Sequence, residues 1–478
     1  MPLHISQVMF RVRVALGGGA LLVAAGCRTY EPRPLDLDGA RAAWLARSPS
    51  DNSVREFAAS LARRPDDPTF HPADGLTLGE GEVVALVFNA DLRRARLEAG
   101  VIRATADHAG LWHDPVLGVD LERVVANGGG ANPWVVAGTL GLTVPISGRL
   151  DAEKARAGAE LAAELEEVAA LEWATRAALR ELWVEWSAAS VRREVGARYV
   201  TALREVAGLA EAQESAGSLT RLEARAFRVE LAAREADQIA LDARARELEI
   251  QLRAMMGLAP GAAADLVPTV AFAFSGGEDD DGLRTALERS SPELASVRAR
   301  YEAAEASLRT EVRKQYPDLV LGPGYGRDQG DDRVLLGLQV PVPLWNRNRQ
   351  GVAEAEARRE SARTRFETTY EHLASRLAVA LVRHAAGRAQ REWVESAVVP
   401  LADEQEADAR RVAALGRVDT LLLLASLQAQ HAARVRLIDA RAAEAIGAIR
   451  VAELIGPPPV EPRSESVVPS ESRPAPSN

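Results

Sequence analysis

The segment WVVAGTLGLTVPISGR, Trp134 to Arg149, has its counterpart in VLLGLQVPVPLWNRNR, Val334 to Arg349. In the second copy Val334, Leu336, Leu338 and Val340 fall at alternate positions, with Leu335, Gly337 and Gln339 between them. That spacing sets the two groups on opposite faces of a pleated strand. Trp134, Leu140 and Leu142 belong to the matching strand of the first copy. Each segment reaches a proline, Pro145 or Pro343, and is followed by helical pattern of unusual length, Arg149 to Glu214 and Gln350 to Leu415. At ~1.5 Å per residue each such helix spans ~100 Å, more than a compact domain holds. The chain therefore reads as mainly α with a small β part.

The duplication extends outward from these segments. Pro115 and Pro317 lie 202 positions apart, Pro145 and Pro343 198, and both Gly217 to Gly416 and Gly257 to Gly456 span 199. Residues 78–112 and 283–315 are helical in pattern. Strands are expected at Val116–Val125, Trp134–Ile146, Leu319–Gly326 and Val334–Leu344, joined pairwise through Ala126–Pro133 and Arg327–Arg333. Phe366, Tyr370, Leu373, Leu377, Ala380 and His384 repeat at spacings of 4, 3, 4, 3 and 4, the 3.5-residue average of a coiled-coil seam. Gly217 and Gly416 mark reversals, with Ser218 or Asp419 placed to start returning helices that run to Met256 and Leu454. The expected organisation is a first repeat over 76–257, a linker over 258–281 and a second repeat over 282–456.

At the N-terminus Arg11 and Arg13 precede the apolar run Val14–Ala25, too short to span a bilayer and built like a secretory signal, giving residues 1–26. Cys27, the sole cysteine, follows Ala24, Ala25 and Gly26, so the segment resembles the lipobox of bacterial lipoproteins. That resemblance implies lipidation of Cys27, and Arg28 in place of an aspartate implies the outer membrane. Residues 27–75, rich in proline, read as an extended leader, and 457–478 as a disordered Pro/Ser-rich tail. The net charge of -10 gives no basic footprint for nucleic acid.

Candidate chemistry is sparse. His108, His113 and Asp114 are close in sequence, but five residues on a helix put the two imidazoles on different faces. His71, His372, His384 and His431 are isolated, and pairs such as Glu166 and Glu167 read as solvent faces. No nucleophile elbow, phosphate loop or HExxH motif occurs, so no catalytic residue, metal site or cofactor is expected.

Four strands in two hairpins are too few for a closed membrane barrel, and an open edge leaves backbone groups unpaired in lipid. Several copies must share the wall. With its duplicated order, the strand-ending segments Leu142–Gly148 and Leu338–Arg349, and the halves Gly217–Gly257 and Gly416–Gly456, the chain resembles the TolC-type outer-membrane efflux family over Leu76–Gly456. The resemblance implies a homotrimer with a twelve-stranded transmembrane barrel continued by a periplasmic helical barrel. It implies a passive duct, not an enzyme, served by a periplasmic adaptor and an inner-membrane transporter, here of the resistance-nodulation-division type. By the same resemblance Gly217, Ser218 and Leu219, with Leu415, Gly416, Arg417 and Val418, form the tips that meet the adaptor. The family's gate aspartates would fall at Leu422 and Ala425, so an acidic ring is absent there, and Glu223 is the carboxylate in the equivalent first-repeat position. Trp112, Trp134 and Trp345 fall near strand ends, where indoles suit the bilayer interface. Pro341–Asn348 is similar to the corner of heavy-metal exporters, which points to divalent cations as cargo. Drugs, a secreted polypeptide, or a lipid-anchored coiled-coil scaffold without a pore are the alternatives.

Overall fold

The computed structural model describes residues 30–61, 70–123, 125, 134–272, 280–328, 331–414 and 420–457. Cys27, the hairpin link Ala126–Pro133, the tip residues Leu415, Gly416, Arg417 and Val418, and Asp419 lie outside them. The chain divides into two compact units, one ending at Arg47 and one beginning at Ser48. In the first, helix α1 (Leu37–Leu45) starts where Asp36 Oδ1 accepts the Gly39 N–H at 2.9 Å. The second opens with α2 (Asn52–Leu61). The leader is thus not extended throughout: the prolines at 34, 49 and 65 bound two short helices instead of preventing them.

The first repeat contains α3 (Leu78–Phe88), α4 (Ala90–Asp107), β1 (Val116–Arg123), β2 (Trp134–Val144), α5 (Arg149–Ser215) and α6 (Arg221–Met255). The second contains α7 (Asp280–Ser290), α8 (Pro292–Arg313), β3 (Leu319–Asp328), β4 (Asp331–Gln339), α9 (Arg349–Trp393), α10 (Val399–Ala414) and α11 (Thr420–Ile455). The helical stretches ahead of the strands are each broken once, at Asn89 and at Ser291. Asn89 Oδ1 accepts from the N–H groups of Asp91 and Leu92, while its Nδ2 donates to the Met255 carbonyl at 2.8 Å. Pro292 opens α8, where its missing N–H costs nothing.

The strands form one antiparallel sheet in the order β1-β2-β3-β4. β4 ends at Gln339, so Val340 lies one residue past the strand and Leu344 well beyond it; Pro341 has no N–H with which to continue the ladder. The link between β3 and β4 is two residues rather than the expected seven. Cross-strand pairs Arg327–Asp332 at 3.0 Å and Arg333–Asp328 at 2.7 Å extend the hairpin into it.

α5 runs unbroken for 67 residues. Its counterpart is divided by a π-helical turn, Val394–Val398, immediately ahead of Pro400. Pro400 removes the N–H that would bond one turn back, and the wider turn absorbs the defect. In the expected seam Leu373, Leu377 and Ala380 are buried, with Phe366 and Tyr370 packed beside them, against Leu283, Leu287, Leu294, Val297, Val451 and Leu454.

The long helices stand side by side in the order α6, α5, α11, α9. Gln238 Nε2 donates to the Arg193 carbonyl and Arg204 pairs with Glu235, joining α6 to α5. Arg192–Asp439 and Arg450–Glu181 join α5 to α11, and Arg391–Glu444 joins α9 to α11. At the end of the hairpins away from the tips, the leader and linker close a core around Trp183. Leu76 and Leu266 pair by a parallel bridge, and Trp183 Nε1 donates to the Val267 carbonyl at 3.1 Å.

Candidate functional site

Register decides which side chains share a face, because residues directly opposite in neighbouring strands point the same way. One row reads Val334, Tyr325, Gly138, Val119; beside it lie Leu338, Leu321 and Leu142, the pair Leu336–Pro323, and the pair Leu140–Leu117. This face is apolar through its middle. Charge enters only at the hairpin end, where Arg327 stands opposite Asp332 and Arg123 opposite Trp134, its guanidinium 5.5 Å from the indole ring. The other face is different in kind. Its rows are Leu335, Gly324, Thr139, Gly118 and then Arg333, Gly326, Ala137, Asp120.

Among the described residues nothing covers the β4 side chains of the apolar face. Val334 is 87% exposed, Leu336 81% and Leu338 63%; left in water, each side chain forgoes ~1.5–3 kcal/mol of burial. The strands have 8 to 11 residues. At ~3.3 Å per residue and a tilt near 40° they match a hydrocarbon band of ~25 Å. Trp134 begins β2 at one end, and exposed Trp112, Tyr316 and Trp345 stand at the other. Among the described residues both outer strands, β1 and β4, are open edges.

The corners into the long helices are fixed by short contacts. Gly148 and Asn348 hold the same left-handed position ahead of α5 and α9. Asn348 Nδ2 donates to the Glu311 carbonyl at 2.9 Å and to its carboxylate at 2.8 Å. Burial opposes charge on Glu311, but hydrogen bonds from Lys314 and Asn348 outweigh it and hold the carboxyl below its ordinary pKa. On the other repeat Arg149 pairs with Asp318 at 3.0 Å.

At the described tip Gly217 adopts φ +75°, and the backbone N–H groups of Ser218 and Leu219 both donate to the Gln213 carbonyl. Ser218 does not start the returning helix. Thr220 does, its hydroxyl accepting from the Glu223 N–H while the Glu223 carboxylate takes the Thr220 N–H at 2.9 Å. Glu223 therefore serves as a cap. The pattern Thr-x-x-Glu was visible in the sequence and was the signal to read. Leu422 and Ala425 are exposed on α11.

The histidines are dispersed. His108 bonds the Ala104 carbonyl and His113 faces Arg149, each at 3.0 Å. Among the described residues no three His, Cys, Asp or Glu side chains gather as a metal site, and no helix is long and apolar enough to cross a membrane. His431 stacks on Tyr199 with ring centres 4.4 Å apart, beside a cavity of about 450 Å³ lined also by Arg192, Arg234 and Gln238. Burial, then the charges of Arg234 and Arg434, push the His431 pKa below its ordinary value. Burial first, then Glu230, pushes the Tyr199 hydroxyl up to about 12.

Residues 283–457 match the family described as outer membrane efflux protein. The cobalt-zinc-cadmium resistance protein CzcC of Cupriavidus metallidurans is 26% identical over 158 residues, 33% of this chain and 38% of that protein. This chain thus matches little more than a third of its relative's length. The outer-membrane channel OprN superposes with a TM-score of 0.68 at 18% identity, covering 90% of this chain and 98% of that one. The outer membrane protein VceC of Vibrio cholerae gives 0.66 at 18% identity, covering 79% and 96%. The second repeat thus matches the outer membrane efflux protein family, and the chain shares the fold of OprN and VceC along most of its length.

Proposed function

We propose that this chain is the outer-membrane channel component of a tripartite efflux system, a passive exit duct with no catalytic step. In this reading three copies pair β1 of one with β4 of the next into a twelve-stranded barrel. The apolar face meets lipid, the Gly, Thr and Asp face lines the lumen, and the long helices continue the duct through the periplasm. Cys27 anchors the chain by its lipid, and the tips at Gly217–Leu219 and Leu415–Val418 receive a periplasmic adaptor. An inner-membrane transporter of the resistance-nodulation-division type supplies the energy. Divalent heavy-metal cations are the proposed cargo, supported by the likeness to CzcC.

One observation carries this reading: a four-stranded sheet with two open edges and two chemically opposite faces. In hydrocarbon every backbone group needs a partner, so such a sheet is viable only inside a closed ring of strands. The test is conductance of the purified protein in planar bilayers, combined with spin labels on β4. Labels at Val334, Leu336 and Leu338 are expected to report lipid, and labels at Leu335 and Gly337 water. A protein without conductance whose labels all report water overturns the proposal. Loss of zinc, cobalt or copper export in a deletion strain tests the cargo.

A further inference from the structure

We propose that the corner between β4 and α9 seats an anionic phospholipid of the leaflet on the helical side of the barrel, with its phosphate on Arg347 and its glycerol and upper acyl chains on Leu344 and Trp345. The inference rests on the reading of the chain as a channel subunit and names a lipid partner for one place on it.

The two corners of the duplicated chain differ in length. Four residues, Pro145–Gly148, join β2 to α5, whereas nine, Val340–Asn348, join β4 to α9. The longer corner is an excursion tied to itself. The Leu344 N–H donates to the Val342 carbonyl at 2.9 Å, and Arg347 Nε donates to the Pro343 carbonyl at 3.1 Å. What it displays is apolar, with Val342 67% exposed, Leu344 58% and Trp345 85%. A cavity of about 430 Å³ lies between this bank and the end of α8, at Lys314 and Gln315.

Charge gives the occupant its sign. From Val340 to Ala353 the sequence holds Arg347 and Arg349 and no carboxylate. Among the described residues neither guanidinium has an acidic partner, and Arg347 bonds only the Pro343 carbonyl. Lys314, the other cation on the cavity, is already paired with Glu311 at 2.6 Å, a carboxylate that Asn348 also bonds. The charge left over is that of Arg347, with Arg349 two residues on. Arg347 and Asn348 are also the only non-glycine residues with positive φ among those described, at 44° and 50°. Each such conformation costs ~1–2 kcal/mol, and strain of this kind is kept where a side chain has to be held in place.

Position selects a lipid over a soluble anion. The corner follows directly on β4, whose Val334, Leu336 and Leu338 form the apolar face, and Trp345 stands at the end of the sheet opposite Trp134. Headgroups begin at that level. A molecule with a negative phosphate there and hydrocarbon beyond it meets both the cation and the apolar bank.

The test is native mass spectrometry of the full-length protein in detergent doped with phosphatidylglycerol or phosphatidylcholine. A cation near a membrane surface is worth ~1 kcal/mol, so the wild type is expected to retain phosphatidylglycerol about five-fold better. Arg347→Gln should abolish that preference, while Arg347→Lys and the distant Arg358→Gln keep it. Trp345→Ala should lower retention of both lipids. Glycerol 3-phosphate at the same concentration should leave the lipid bound; displacement would assign a soluble phosphate and overturn the lipid seat. Equal retention of the two lipids by the wild type, or an unchanged preference in Arg347→Gln, also overturns it, and conductance of the same preparation then leaves the channel reading standing. A wild-type protein with neither lipid preference nor conductance removes both.

Discussion

A Cβ placed on Gly456 would stand 2.0 Å from the carbonyl oxygen of Ser290, at the point where the second hairpin returns to the break between α7 and α8. Gly257 stands in the same relation to Phe88, at 2.1 Å, beside the break at Asn89. Both glycines are left-handed, with φ of +83° and +73°. Each repeat therefore docks the end of its hairpin backbone to backbone, with no room for a side chain.

Gly456→Ala is accordingly expected to destabilise the protein by more than the ~1–2 kcal/mol of a left-handed alanine, since the clash is with backbone and has no rotamer to relieve it. Gly257→Ala should behave alike. Thermal unfolding followed by far-ultraviolet circular dichroism measures both, and unchanged melting temperatures contradict the assignment.

Arg180 and Glu82 form a well-covered ion pair between α5 and α3. Their contacts are 2.5 and 3.0 Å, with side chains 17% and 13% exposed. The guanidinium also lies 5.7 Å from the ring of Trp173 and 5.3 Å from that of Phe272. Glu82→Ala strands this charge and is expected to cost ~3–5 kcal/mol, whereas Glu82→Leu combined with Arg180→Met should recover most of the loss. A double-mutant cycle on denaturant midpoints decides it. Additive losses would mean that the pair is not coupled.

His431 predicts a pH dependence. Its neighbours are Arg192 and Tyr199 on α5, Arg234 and Asp237 on α6, and Arg434 on its own helix. Folding lowers its pKa from 6.5, so between that value and the folded one the unfolded chain holds more protons. Stability therefore falls as pH drops through and below 6.5 and levels off under the folded pKa. His431→Phe keeps a ring on Tyr199 and removes the titration. The melting temperature of the variant should decline less than that of the wild type across this window; parallel curves would rule His431 out as the source.

Much of this was legible in the order of residues. The duplication, the four strands, the two long hairpins and the seam at Leu373, Leu377 and Ala380 are statements about local period and spacing, and such patterns are written along the chain itself. The capping role of Glu223 was also written there, in its distance from Thr220. The breaks at Asn89 and Ser291 were less visible, because the Asn89 amide finds one of its partners in Met255, 166 residues away.

By itself, then, the sequence determined the elements and their repetition, because helix and strand periods are set by neighbours a few residues apart. Only the tertiary structure decided which strand faces unite into an apolar and a polar surface, since that depends on register among strands nearly 200 residues apart. It alone separated Ile239 from Ile438. These identical residues, 199 positions apart, differ in burial because α5 packs over Ile438 while among the described residues no helix packs over Ile239.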